Sequence, residues 1–482
     1  MDQYDVIVVG AGVSGLLAAL TLSKHGKKVL VLEKDDHVGG NCSSYQVDGF
    51  QVDTGPHAIT HLEEGPLKRL MDNYFDYLPV FEDYGHYYVR TEDRFMKIPS
   101  TIRELATFDI FPRRDRLAIT QAITKALTFS SFGMDLSTQS VYDYLPETLS
   151  KDTYDFANAI SYFLSGRSMH ETSAQRVLAG SSFVRDTVTQ EQFENLLNKN
   201  EPVTRTESIL ESVLSTNLHT SLRTRIDSVA HPFTSLSRLA TNRVGISQAY
   251  PRKGLKSILN TILYSLPSSV EIKTGCPVKR IMVKDGKAVG VEADEIYHSD
   301  MIVYTGFAAS LPDMVGNLPS LYLDMLAGID HTKSLTIWLG IDKVMEEFNY
   351  TGSEIWFKDT PYWAMPISNY DASLAPDGKQ LVGFAFVVDE QEKDAGAIRN
   401  AYQTIYRAIP DLEDHVEMEH EQILVPEKAA VTINGNFADI RTPINSLYVA
   451  GTDTDRRSMG ITRAAYSVIE LLRVLSEDNR LD

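Results

Sequence analysis

The stretch VIVVGAGVSG, Val6 to Gly15, and the shorter VLVLEK behind it, Val29 to Lys34, decide how this chain folds. Val6 to Val9 is a β-branched run, too brief for a helix, that ends on glycine, and it reads as a buried strand. Gly10, Gly12 and Gly15 stand in G-x-G-x-x-G register, and Leu16 to Leu22 continues with helical spacing until Lys24-His25-Gly26 stops it. A second strand follows and Glu33 closes it, 18 residues beyond Gly15. Gly10 permits the tight turn, Gly12 lets a pyrophosphate approach the backbone, and Gly15 lets the helix pack close on the strand, with the helix's first N–H groups facing the anion. A carboxylate at Glu33 accepts hydrogen bonds from ribose hydroxyls and repels a 2′-phosphate. A glycine fingerprint alone is a weak signal; the strand before it, the helix after it and the acid at the second strand's end together read as dinucleotide binding.

The whole chain sets the limits around that unit. Its 482 residues are too many for one ordinary core, so two lobes are expected. With 43% hydrophobic and 23% charged residues the balance is that of a folded protein. A net charge of −19 argues against nucleic acid as a partner, which needs a basic face. Cys42 and Cys276 are too few for a disulfide framework or a cysteine metal site, and no histidine-rich spacing suggests a metal, so a reducing cytoplasm is the expected location. Asp2 and Asp5 replace the basic residues of a signal peptide, and no window approaches the ~18 apolar residues of a spanning helix.

Behind Glu33 runs HVGGNCSSYQVDGFQVDTGPHAIT, His37 to Thr60. Alternation through Tyr45–Asp48 and Phe50–Asp53 predicts a hairpin turning at Asp48-Gly49, and Gly55-Pro56 ends it. The set VVGAGVSG, Glu33, VGGN and DTGPH resembles the FAD-dependent amine-oxidase and phytoene-desaturase superfamily, in particular its phytoene desaturase-like branch. The resemblance implies an α/β + α architecture: a Rossmann-like FAD-binding domain of the GR2 type, interleaved with a substrate domain of mixed sheet and helical insertion. The family usually carries arginine beside its G-G pair, whereas this chain has Val38 before it and Asn41 after it. Variants reading G-G-N are also similar to UDP-galactopyranose mutases.

The implied division gives the FAD-binding domain three segments, at 1–61, 249–306 and 441–482. The substrate domain takes the two stretches between them, a helical one at 62–248 and a second at 307–440. Residues 62–248 read as helix-prone and polar, with Pro112 starting a helix that carries Ile119, Ile123 and Leu127 at four-residue steps. Arg113, Arg114 and Arg116 in its first turn suit peripheral docking on a membrane surface, and equally a helix packed on its own domain with solvated arginines. Glu201 to Val244, rich in Ser, Thr, Arg and Leu, reads as a lid, a partner surface or helical padding. At AYPRKGLKSILNTI, Ala249 to Ile262, relatives carry a Y-P-x-G-G step back to the nucleotide domain; here Lys253 stands at the first glycine. Strands are expected at Glu271–Ile272, Val278–Val283, Ala288–Val291 and Met301–Tyr304, with a turn at Asp285-Gly286, and then at Leu335–Ile341, Ile355–Phe357 and Leu381–Val388. Trp338, Trp356 and Trp363 are candidates either for core or for the wall of an apolar tunnel. The closing LYVAGTDTDRRSMGITRAAYSVIELLRVL, Leu447 to Leu475, reads as a strand, a glycine turn and a helix.

The resemblance implies FAD as cofactor, contacted by Gly10, Gly12, Val13, Ser14, Gly15, Glu33, Lys34, Gly39, Gly40, Asn41, Cys42, Pro56 and His57 in the first segment. It adds Val278, whose strand would pair with the adenine, and Gly451, Asp453, Met459, Gly460 and Ile461 at the end. There Asp453 would bond the ribityl or phosphate portion, and the helix start near Gly460 would face flavin N1 and C2=O, where reduction gathers negative charge. His57 is the one catalytic candidate, as an acid/base or as a hydrogen-bonded wall. The implied activity is oxidation of an apolar, isoprenoid-like substrate by hydride transfer to flavin. An amine oxidase, a protoporphyrinogen oxidase or a mutase using Arg167, Arg176 or Arg185 is the alternative enzyme. A flavin-free isoprenoid binder like the Rab GDP-dissociation inhibitors is the alternative outside enzymology.

Overall fold

Val6, Ile7, Val8 and Val9 are buried on both faces, the environment of a central parallel strand. The computed structural model describes residues 4–55, 57–99, 102–131, 135–180, 188, 190–197, 248–389 and 391–481. In it Tyr4–Val9 pairs in parallel with Val29–Leu32 on one side and with Ile296–Tyr304 on the other. Val270–Lys273 extends the layer beyond Val29–Leu32, and Leu447–Val449 pairs with Ile296–Tyr304, both in parallel. Three remote pieces of chain therefore share one parallel sheet. An antiparallel ribbon, Arg280–Lys284 and Lys287–Glu292, hangs from the early half of Ile296–Tyr304 through a turn whose Asp285 and Gly286 have φ of 51° and 74°. Leu16, Leu17, Ile258, Leu259, Val468 and Leu472, from helices Val13–Lys24, Lys256–Ser265 and Gly460–Glu477, bury one face against Val6, Val8, Val29 and Val31.

A second, mixed sheet runs in the order Val416–Leu424, Lys333–Ile341, Gln380–Val388, Tyr362–Met365, Gly352–Trp356, His86–Arg90 and Phe95–Lys97. The three strands expected in the later half of the chain are all present. The last two in the order are a correction, because they come from the stretch read as helix-prone. Tyr87, Tyr88 and Val89 suit a strand, but their partner Gly352–Trp356 lies far along the chain and gives no local signal. The helix after Pro112 spans Arg113–Ser131, and Lys151–Ser165 follows it and ends at Gly166, φ 87°. Leu335, Ile337, Leu339, Phe384 and Phe386 bury one face of this sheet under helix Asp394–Ala408. Among the described residues no helix is long and apolar enough to cross a membrane. The 201–244 segment, Arg185 and Pro56 lie outside the described residues.

The two sheets are tied together at Asp53, the last residue of the hairpin Ser44–Val47 and Phe50–Asp53. Its fully buried carboxyl accepts from the Ser44 and Tyr250 hydroxyls and, at 3.2 Å, from the Leu255 N–H. Burial pushes the carboxyl up against the downward pull of those donors. The crossing it secures contains Lys253 in the left-handed region, φ 63°, a conformation that favours glycine. Its N–H donates to Asp371 at 2.9 Å and its carbonyl accepts from Gln51 at 2.7 Å, so hydrogen bonds hold a conformation that costs a side-chain-bearing residue about 1–2 kcal/mol. Replacing Asp53 with alanine strands three donors in a dry interior, with an expected loss of about 3 kcal/mol read as a lower urea midpoint. Tyr250→Phe, which removes one donor, is expected to lose about 1 kcal/mol. An unshifted midpoint for Asp53→Ala would take this role away from it.

Candidate dinucleotide site

Ideal side chains built on the three fingerprint glycines separate what the fold needs from what a ligand needs. A Cβ on Gly15 would lie 2.0 Å from the Gly10 carbonyl oxygen, and one on Gly10 would lie 2.9 Å from Thr305 Oγ1. One on Gly12 would meet nothing within 4 Å. The protein itself therefore forces Gly10 and Gly15, while the backbone at Gly12 is left bare. Helix Val13–Lys24 starts here with no side-chain cap, so the first-turn N–H groups of Val13 and Ser14 are presented to an anion. The G-G pair lies directly on this turn. Gly39 donates to the Ala11 carbonyl at 2.8 Å, and a Cβ on Gly40 would lie 3.4 Å from Gly12 Cα. Glu33 is buried, with one oxygen accepting from Ala11 N–H at 2.6 Å and the other from Asp35 N–H at 3.0 Å. Since a carboxylate offers about four lone-pair sites, two remain for ribose hydroxyls. Lys34 reaches out into solvent, 3.9 Å from Asp35.

The closing segment arrives at the same sheet edge. Gly451 follows strand Leu447–Val449, and a Cβ on it would lie 3.7 Å from the Thr305 carbonyl, so Thr305 touches both Gly10 and Gly451. Asp453 is buried, with Oδ2 accepting from Ala308 N–H at 2.8 Å and standing 3.0 Å from His331 Nε2. Its Oδ1 is buried with no partner among the described residues. A buried carboxylate oxygen without a donor is costly, and a hydroxyl of a bound ribityl chain would supply one. The last helix begins at Gly460, φ 51°, again without a side-chain cap on Met459. Ile461 turns into the core. Arg463, one turn on, is fully buried, and its guanidinium donates to the carbonyls of Ser458 at 2.9 Å and Ala429 at 2.8 Å. Burial draws this guanidinium down to about 10.

His57 joins the two ends. Its Nδ1 is 2.8 Å from the Gly55 carbonyl, and a Cβ on Gly460 would lie 3.5 Å from its Cδ2. Gly55 N–H donates to Gln422 at 3.0 Å, and Asn41 Nδ2 to the Pro426 carbonyl at 3.4 Å. Beside Pro426, burial works against the charge on Glu427, but Lys428 at 2.7 Å and Thr332 at 2.9 Å prevail and hold its carboxyl below the usual range. Burial first, and the Asp53 charge second, push the Cys42 thiol up, so it stays protonated and serves as wall. Bare Gly12, the remaining lone pairs of Glu33 and the orphan oxygen of Asp453 fit a flavin adenine dinucleotide.

One boundary needs correction: the strand expected from Val278 begins at Arg280, although Lys279 N–H already donates to the Glu292 carbonyl at 2.8 Å, and the Val278 side chain is core, packed with Ile7 and Val9. Of the tryptophans read as core or tunnel wall, Trp338 and Trp356 are core, fully buried with their N–H groups bonded to Gln422 and the Lys358 carbonyl. Thr305, His331 and Arg463 escaped the sequence reading. Thr305 was the findable one, since it follows a buried parallel strand at the edge where such sheets bind ligands.

Gly12→Ala is expected to leave the melting temperature of the apoprotein unchanged while lowering FAD affinity at least tenfold, measured as flavin absorbance retained on gel filtration. Gly15→Ala is expected to lower the apoprotein's melting temperature instead. Full flavin retention by Gly12→Ala would remove Gly12 from the cofactor contact.

Comparison with known proteins agrees with this geometry. Residues 8–74 match the NAD(P)-binding Rossmann-like domain model. An uncharacterised protein in the nifH2 3′ region of Methanothermococcus thermolithotrophicus is 57% identical over 102 residues, 21% of this chain and 98% of that protein. Human all-trans-retinol 13,14-reductase is 44% identical over 70 residues, 14% of this chain and 12% of the enzyme. The 4,4′-diapolycopene oxygenase of a Methylomonas species is 40% identical over 81 residues, 16% of each chain. The match to these two named enzymes thus spans less than a fifth of their length. Over nearly the whole chain the fold resembles an oxidoreductase from Methanosarcina mazei, with TM-score 0.69, 18% identity and 98% and 99% of the two chains covered. A putative protoporphyrinogen oxidase from Exiguobacterium superposes with TM-score 0.66 at 14% identity, covering 99% of each. Over its whole length the chain thus has the fold of these oxidoreductases, with the nucleotide-binding Rossmann-like unit at residues 8–74.

Proposed function

We propose that the protein oxidises an apolar, isoprenoid-like substrate, with bound FAD supplying the two-electron acceptor chemistry. One observation carries this reading. In the central strand Gln380–Val388, Phe384 and Phe386 are buried on one face, whereas Ala385 and Val387 on the other are only partly covered. We read this open mid-sheet face as the substrate's resting place; the same face is apolar farther along, where Phe156, Ile160 and Phe163 of helix Lys151–Ser165 pack with Ile355 and Trp363 in one cluster. An apolar face of this kind excludes water and orients a C–H bond by shape, which suits hydride chemistry. Retinol and diapolycopene figure in the names of two relatives, which supports an isoprenoid over an amine.

His57 is the group here able to handle a proton. A carbonyl only accepts, so Nδ1 carries the hydrogen given to Gly55, and Nε2 lies on the Gly460 side. A mutase-like reading finds less support. The Arg167 guanidinium is paired with Asp330, and Arg176 donates to the Leu164 carbonyl at 2.9 Å.

Anaerobic incubation with isoprenoid lipids, amines and porphyrinogens separates the candidates: a lipid is expected to bleach the visible flavin band while the other two classes leave it. Bleaching by an amine alone would overturn the proposal. His57→Ala is expected to slow turnover on the order of 100-fold with flavin content unchanged. Unaltered turnover would retire His57 as acid/base.

A further inference from the structure

Trp363 carries an indole N–H that is withdrawn from water and meets no acceptor among the described residues. The other two tryptophans set the contrast, since Trp338 donates to Gln422 at 3.1 Å and Trp356 to the Lys358 carbonyl at 2.8 Å. Native interiors rarely keep a donor unpaired, and each such donor asks for a use.

The sheet register shows where this one stands. Thr336 opposes Ala385, and Ala385 opposes Trp363, so the three form one row on one face. Adjacent strands lie ~4.8 Å apart, which sets the Trp363 backbone about 10 Å from that of Thr336. Thr336 marks the His57 end of the row: a Cβ on Gly55 would lie 3.6 Å from Thr336 Oγ1 and 3.5 Å from His57 Cε1. Between the two ends is Ala385, small and only partly covered. One face of the row thus has the proton-handling group at one end, a methyl group in the middle and a residue with an unused hydrogen-bond donor at the other.

We infer that Trp363 is a specificity-determining residue whose indole N–H donates to an oxygen on the substrate, about 10 Å along an apolar chain from the reacting carbons. This rests on the apolar-substrate reading and narrows it from plain hydrocarbons to oxygen-bearing isoprenoids. The chemistry is selective in one direction. Indole is a donor only, so it binds a hydroxyl, carbonyl or ether oxygen and offers nothing to a protonated amine, which has no lone pair. A hydrocarbon leaves the N–H as it is, and sites built around a hydrogen bond discriminate against the analogue lacking it.

The test measures binding to the FAD-loaded protein of a C20 polyene alcohol and a C20 polyene hydrocarbon of equal length, each followed by polyene absorbance in the same mixed micelles. In Trp363→Phe, alcohol affinity is expected to fall about tenfold, hydrocarbon affinity to stay, and flavin content to stay. Unchanged alcohol binding, or a parallel loss for both probes, would overturn the anchor while leaving the apolar-substrate reading intact. Failure of the unsubstituted protein to bind either probe would overturn that reading and the anchor together. Should Trp363→Phe fold poorly, the methyl ether of the alcohol decides on the unsubstituted protein. It still accepts a hydrogen bond and is expected to bind like the alcohol, and a tenfold loss on methylation would overturn a donor role for Trp363.

Discussion

Everything in this molecule follows from one strand, Tyr4–Val9, being held in parallel between Val29–Leu32 and Ile296–Tyr304. Parallel pairing puts the carboxyl ends of all three strands at one edge, and with them Gly10, Glu33 and Thr305. Leu447–Val449 joins the same layer and delivers Gly451 and Asp453 to that edge too. The binding crevice is therefore a consequence of register. Shifting any of these strands by one residue would move Gly10, Glu33 or Thr305 about 3.3 Å out of line with its neighbours.

How much of this could be read beforehand depended on how local each feature is. The glycine fingerprint, the Asp48-Gly49 and Asp285-Gly286 turns and the helix after Pro112 declare themselves within a few residues, and all are present. The strand His86–Arg90 did not, because what makes it a strand is a partner more than two hundred residues away. Arg463 was hidden for a different reason. An arginine in a helix is an ordinary residue until burial and neighbours are known. Val278 shows a boundary error of the ordinary kind: alternation placed it in a strand that begins two residues later, at Arg280.

The hairpin and the return crossing connect that edge to the second sheet. Asp53 ends the hairpin and bonds Tyr250 and Leu255 of the crossing, and two residues later Gly55 reaches Gln422 of the second sheet. Gln422 in turn holds the Trp338 indole and the Asp53 carbonyl, at 3.1 and 2.9 Å. A chain of satisfied buried hydrogen bonds thus links the cofactor layer to the sheet behind His57. Because each member would be left unpaired by slippage of its neighbour, the chain fixes the distance between the dinucleotide edge and the second sheet.

The electrostatics explain how a protein of net charge −19 can attract an anionic dinucleotide. Whole-molecule charge acts through water and is screened within about 10 Å, so it says little about a crevice whose walls are dry. Locally, two helices start without side-chain caps, at Val13 and Gly460, and each brings the equivalent of about half a positive charge. Arg463 adds a full one beneath the second helix start, with Asp453, Asp455 and Glu427 close enough to hold it charged against the drag of burial. Of these three, Asp455 is already paired with Arg457 at 2.6 Å and Glu427 with Lys428 at 2.7 Å, which leaves Asp453 as the acid whose second oxygen has no donor among the described residues. A buried arginine whose hydrogen bonds go to carbonyls is an expensive way to cap a loop, and packing alone would not require it. Its expense is understandable if the charge serves the crevice: a cation and a helix N-terminus at Gly460 would favour the negative charge that a reduced flavin gathers, and the unpaired Asp453 oxygen would receive a hydroxyl.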